Sequence, residues 1–153
     1  MVAQPTTEIE IHSPTACIVT LRGEHDAASS EAITLAVTLA RSYTNVLVDL
    51  GSCSFVDSTV IGVLLAAAKR AREHGGALEL VVPVEMTPVR RTLEIANVQG
   101  RLPFHATRAD GIATFAARRR STSDRGDVTI VRARIAGDAP LEHASAEEER
   151  RAA

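Results

Sequence analysis

The residues with the most chemical potential fall in two short stretches, Gly23-Glu24-His25-Asp26 and Asp57-Ser58-Thr59. Ser58, His25 and Asp26 supply a nucleophile, a base and an orienting carboxylate, the three parts of an acyl-transfer triad. Their spacing argues against that use. His25 and Asp26 are neighbours, which forces base and orienter into an awkward mutual geometry. Ser58 is flanked by Asp57 and Thr59, not by the glycines of a nucleophile elbow. Asp57-Ser58-Thr59 reads instead as a helix start, with a capping carboxylate followed by hydroxyls in the first turn. A hydroxyl there is exposed, and a phosphate ester on it would sit at the positive end of the helix dipole. Phosphorylation is therefore a chemistry that this site tolerates, and no catalytic residue and no enzymatic activity are expected.

The other reactive groups point to nothing further. Cys17 and Cys53 are the only cysteines and form no C-x-x-C pair, so neither a zinc site nor any other metal site is expected. If their strands are parallel neighbours, the two lie roughly 15–20 Å apart, too far for a disulfide. Gly75-Gly76 closes a helix and does not open one, so it is no phosphate-cradling loop. No cofactor is implied. His25 is expected to be solvated in a surface loop, with pH sensing a remote alternative.

The elements that must hold these stretches are legible in the pattern. Residues 7–12 alternate as a half-exposed strand, and residues 16–21 read as a more buried one. Ser13-Pro14-Thr15 between them makes a hairpin. Asp26 is placed to cap a helix over residues 27–42, with Ile33, Val37 and Ala40 on one face. Residues 45–50 form a short apolar run typical of a central parallel strand. A helix runs to His74, ending in Lys69, Arg70, Arg72 and the glycine pair. Residues 78–82 form another strand, Pro88 opens a helix over residues 87–96, and residues 103–105 make a short last strand. A helix over residues 109–119 turns Ile112, Phe115 and Ala116 inward. The order β-β-α-β-α-β-α-β-α predicts an α/β fold: a mixed sheet of four to five strands with about four helices against it.

The chain has 153 residues, enough for one domain, here placed at residues 1–120. Residues 121–153 read as an extension, expected to be largely disordered, although residues 128–135 alternate well enough to form one docked strand. A net charge of −2 and an aromatic content of 3% give no case for direct nucleic-acid binding. No apolar run is long enough to span a membrane, and the first residues lack the pattern of a signal peptide. The expected location is cytoplasmic.

Taken together, Gly23-Glu24-His25-Asp26, Asp49 and Phe55-Val56-Asp57-Ser58-Thr59-Val60-Ile61-Gly62 resemble the STAS family, and within it the bacterial anti-sigma factor antagonists. Those proteins carry Gly-Glu-Leu-Asp after a strand and Asp-Ser-Ser/Thr-Gly-Leu-Gly at a helix start. The resemblance covers roughly residues 7–119 and implies the STAS fold, no enzymatic activity and a partner-switching mechanism. In that mechanism the unmodified antagonist binds an anti-sigma factor that is also a GHKL-type serine kinase, and so frees a sigma factor. Phosphorylation of the serine after the motif aspartate, here Ser58 and with less weight Thr59, breaks the complex, and a PP2C-type phosphatase restores it. The resemblance implies a partner-binding surface of Glu24, Asp26, Asp57, Ser58, Thr59, Val60 and Ile61. Two positions depart from the pattern. His25 replaces an apolar residue, and Val60 stands where the family usually has glycine, which bears on kinase recognition. The alternative is a STAS ligand-sensing or scaffold module, for a nucleotide or a lipid-transport system, without regulation by phosphorylation.

Overall fold

A computed structural model describes residues 4–85, 87–121 and 131–135. The expected hairpin opens the chain, with β1 (Thr6–Ser13) and β2 (Ala16–His25) paired antiparallel across Pro14-Thr15. A 3-10 turn over Ala27–Ser29 leads into α1 (Ser30–Ala40). Then come β3 (Asn45–Val56), α2 (Ser58–Glu73) and β4 (Ala77–Val81). They are followed by α3 (Pro88–Ile95), β5 (Phe104–His105), α4 (Arg108–Ser121) and β6 (Val131–Ile135).

The sheet order is β5-β4-β3-β2-β1-β6. β2 through β5 run parallel, while β1 is antiparallel to both β2 and β6. The fold is thus the expected mixed α/β sheet with four helices. Among the described residues the sheet has six strands where the sequence predicts four to five. The sixth comes from the alternating segment of the C-terminal extension, which pairs along β1 from Thr7↔Ile135 to Ile11↔Val131. Residues 122–130 and 136–153 lie outside the described residues, and the disorder expected of the extension falls on them.

Alternation sorts each strand between two layers. Cys17, Val19 and Leu21 of β2, Val46, Val48 and Leu50 of β3, and Leu78 and Leu80 of β4 meet α1, α2 and α3 in the main core. The helices answer with stripes such as Ile33, Ala36, Val37 and Ala40 on α1 and Val60, Ile61, Leu64 and Ala68 on α2. On the other face, α4 lays Ile112 and Phe115 on Ile18, Leu47 and Val81. Gly111 lets α4 come close, since a Cβ there would stand 2.7 Å from Leu47 Cδ1.

That second face also carries charge. Arg108 Nε donates to Asp49 Oδ2 at 2.9 Å and Nη2 to Thr20 Oγ1 at 2.7 Å. Glu79 is fully buried, and its carboxylate lies between His105 Nε2 at 2.7 Å and Arg118 Nη1 at 2.6 Å. A buried carboxylate needs such partners, because burying the charge alone is very unfavourable.

Candidate partner-binding site

β4 stops pairing at Val81, opposite Asp49, but β2 and β3 continue together. Their extension pairs Arg22 with Ser52, Gly23 with Cys53, Glu24 with Phe55 and His25 with Val56. The sequence reading ended this strand at Leu50. The segment beyond it is polar and broken by Gly51, which hid its extended form. Two irregularities, one after Thr20 and one after Gly23, each place an additional residue on β3. Gly23 has φ +82°, a left-handed value that glycine adopts without a steric penalty.

The ribbon delivers both motifs to one place. Directly past it, the Asp57 N–H donates to the His25 carbonyl at 3.3 Å, so Asp26 and Asp57 leave the sheet side by side. Each then caps a helical segment. Asp26 Oδ1 accepts from Ala28 N–H at 2.9 Å, and the Asp26 N–H donates to Ser29 Oγ at 3.1 Å, a reciprocal capping box. Asp57 Oδ1 accepts from Val60 N–H at 3.0 Å and starts α2.

Ser58 and Thr59 occupy the first turn of α2 and are exposed, as are Glu24 and Asp26, with Asp57 partly covered. Among the described residues, Glu24, Asp26 and Asp57 have no ion-pair partner. The surface is therefore locally acidic around two hydroxyls.

Two residues assigned to this surface are not on it. Val60 and Ile61 are 0% and 6% exposed and belong to the main core. The reason is helical rotation: with about 100° per residue, Ser58, Thr59 and Gly62 face outward while Val60, Ile61 and Leu64 face inward. Val60 in the place of glycine therefore fills core volume. Phe55, by contrast, lies outside the partner-binding surface that the resemblance implies, and is 42% exposed beside Glu24. The signal was available: Val56 and Asp57 fix the strand end, and Phe55 alternates outward from buried Val56.

His25 also departs from expectation. It is fully buried and not a solvated loop residue. Its Nε2 lies 3.0 Å from the Arg22 carbonyl and its Nδ1 lies 3.2 Å from Ser29 Oγ. Burial pushes its pKa below the ordinary 6.5, against the opposing pull of the Arg22 and Thr6 backbone and of Asp26. The Arg22 carbonyl can only accept, so Nε2–H donates to it, and Nδ1 lies against the Ser29 hydroxyl, which also donates to Asp26 O at 3.2 Å. Both nitrogens are occupied, which leaves no base turned toward Ser58.

The thiols are equally withdrawn. Burial pushes Cys17 up to about 12, aided by Glu10, and pushes Cys53 up to about 11. At neutral pH both stay protonated, and neither is bridged. Among the described residues no group of three His, Cys, Asp or Glu side chains is placed to hold a metal ion, and no helix is long and apolar enough to cross a membrane.

With this geometry in place, comparison with known proteins gives a consistent result. The family model of the STAS domain matches residues 7–111. The structure is similar to that of the anti-sigma factor antagonist SpoIIAA in its unphosphorylated form, with TM-score 0.63 and 19% identity over 72% of this chain and 96% of that one. It is also similar to an anti-sigma factor antagonist from Mycobacterium paratuberculosis, with TM-score 0.66 and 22% identity over 74% of this chain and 97% of that one. A third similarity is to the murine anion transporter Slc26a9, with TM-score 0.56 and 19% identity over 68% of this chain but only 18% of that one. At these identities the likeness is one of fold. No curated protein sequence matches the chain.

Proposed function

This chain belongs to the STAS domain family, and we propose that it acts as an anti-sigma factor antagonist switched by phosphorylation of Ser58. One observation carries the reading: the paired ends of β2 and β3 bring Asp26 and Asp57 together around an exposed serine at the first position of α2. In the unmodified state Ser58, Thr59, Glu24, Asp26 and Asp57 form a small acidic surface, with Phe55 as its apolar contact. The partner is an anti-sigma factor of the GHKL serine-kinase type, and its capture releases a sigma factor. A PP2C-type phosphatase resets the switch.

The physical logic needs no refolding. A phosphate on Ser58 adds about −1.5 to −2 charges. The N-terminus of α2 accepts it, because unpaired N–H groups and the helix dipole favour an anion there. The interface does not accept it, because a partner surface fitted to a small hydroxyl meets the bulk and added charge of the phosphate beside Asp26 and Asp57. A loss of about 3 kcal/mol weakens binding on the order of a hundredfold. The burial of both nitrogens of His25 and of the two thiols supports a binding role over a catalytic one.

The test is to incubate the full chain with ATP and the anti-sigma factor kinases of its source, then map phosphate by mass spectrometry. Phosphate should appear on Ser58. Ser58→Asp should weaken the complex at least a hundredfold with an unchanged circular dichroism spectrum, and Ser58→Ala should still bind. Equal affinity of Ser58→Asp and the parent chain overturns the switch.

A further inference from the structure

A groove at the end of the domain away from Ser58 plays no part in the proposed switch. α2 has 16 residues, so it is about 24 Å long and its last turn lies well away from its first. There the ends of α1 and α2 and the starts of β3 and β4 surround an open cavity of about 780 Å³, within the size range of small-molecule sites.

Its floor is apolar and preformed. Val37, Val46, Ala71 and Leu78 line it, and Leu39 stands at its rim more than half exposed. The connections beneath are locked together. Ala77 N–H donates to Thr44 O at 2.9 Å, Gly76 N–H donates to Ala71 O at 2.8 Å, and a Cβ on Gly76 would run into the Thr44 carbonyl oxygen.

The rim is basic. Arg41, Arg70 and His74 line the cavity, and among the described residues no carboxylate does. Two helices end here, and their C-terminal dipoles supply roughly half a negative charge each. Two arginines exceed that. One terminal carbonyl is already satisfied, since His74 Nδ1–H donates to Arg70 O at 2.8 Å. Among the described residues, Arg90, Arg108, Arg118, Arg132 and Arg134 are each paired with a carboxylate, whereas Arg41 and Arg70 are not. Positive charge in surplus over an apolar floor is the complement of one ligand class.

We infer that this groove binds an organic anion, with its acidic head group on Arg41 and Arg70 and its apolar body across Val46 and Leu78. Carboxylate and phosphate head groups share this chemistry. The inference is independent of Ser58.

The chain contains its own reporter. Tyr43 is its only tyrosine, there is no tryptophan, and Tyr43 lines the groove. Tyrosine emission of the full chain is followed during titration with octanoate, octyl phosphate, octanol and octylammonium. At least one of the two anions should give a saturable change, and which one does so identifies the head group. Octanol and octylammonium should bind at least tenfold more weakly. The Arg41→Gln/Arg70→Gln variant should raise the apparent Kd for the anion at least tenfold while keeping the parent circular dichroism spectrum. Absence of a saturable response to both anions, an equal response to octylammonium, or an unchanged Kd in a folded double variant overturns the proposal. If the double variant does not fold, the comparison of anion with octylammonium on the parent chain decides alone.

Discussion

At the scale of single residues, the candidate site is made of side chains whose jobs are separable. Ser58 and Thr59 are exposed hydroxyls, Asp26 and Asp57 are caps, and His25 is a buried strut under both. His25 has a testable thermodynamic signature. Its folded pKa lies below the unfolded value of 6.5, so below that pH the unfolded chain takes up a proton that the folded chain refuses. Stability is therefore fully present above about pH 6.5 and declines as pH falls toward the folded pKa. Urea denaturation at pH 7.5 and pH 5.5 should show this decline, and His25→Gln should flatten that part of it. An equal slope in the variant would mean that carboxylates elsewhere account for it. The motif residues were legible because their types are those of caps and phosphoacceptors. The role of His25 was not, because whether a histidine near a strand end is solvated or buried depends on what closes over it, here the turn carrying Ser29.

At the scale of elements, the arrangement depends on how α2 begins. Asp57 satisfies the Val60 N–H, and capping by a side-chain oxygen is worth about 0.5–2 kcal/mol. Asp57→Ala should lose that amount in urea denaturation, while Asp57→Asn, which keeps the accepting oxygen, should lose much less. If Asp57→Asn instead matches the alanine variant, the carboxylate charge and not the cap geometry matters for stability. The helix start was readable from Asp-Ser-Thr, and the closing of α2 by Gly75, with φ +77°, from the glycine pair. Rotation within the helix was harder to read. Val60 and Ile61 were placed on the surface by analogy with the family, whereas the 100° step per residue turns them into the core. The length of β3 was misread for a related reason. Residues 51–54 are small, mostly polar and glycine-containing, and only pairing with β2 makes residues 51–56 a strand.

At the scale of the whole molecule, the sheet divides the described residues into a thick layer holding α1, α2 and α3 and a thin layer holding α4. β6 closes the β1 edge that would otherwise be exposed, and Ile135 enters the main core at 7% exposure. Arg132 and Arg134 reach Glu10 and Glu8 across the pair, but these exposed ion pairs are worth little individually. The anchor is Ile135. Ile135→Asp should release β6, speed amide exchange along residues 7–11, and lower stability by about 1–3 kcal/mol. An unpaired edge also invites association between chains, which light scattering of the variant would register. Unchanged exchange in β1 would show that β6 pairing does not protect that edge. The acidic surface at Ser58 and the basic groove at the far end of α2 lie at opposite ends of this layer.

The sequence by itself determined the alternation of strands and helices, the caps, the scarcity of aromatics and the hydroxyls at the start of α2, because these depend on local residue type and period. The tertiary structure decided three other things. It brought Asp26 beside Asp57, buried His25, Val60 and Ile61, and gathered Arg41, Arg70 and His74 around one groove. Bringing Asp26 to Asp57 and Arg41 to Arg70 requires segments about thirty residues apart to meet, and register and packing, not local preference, fix which side chains face one another.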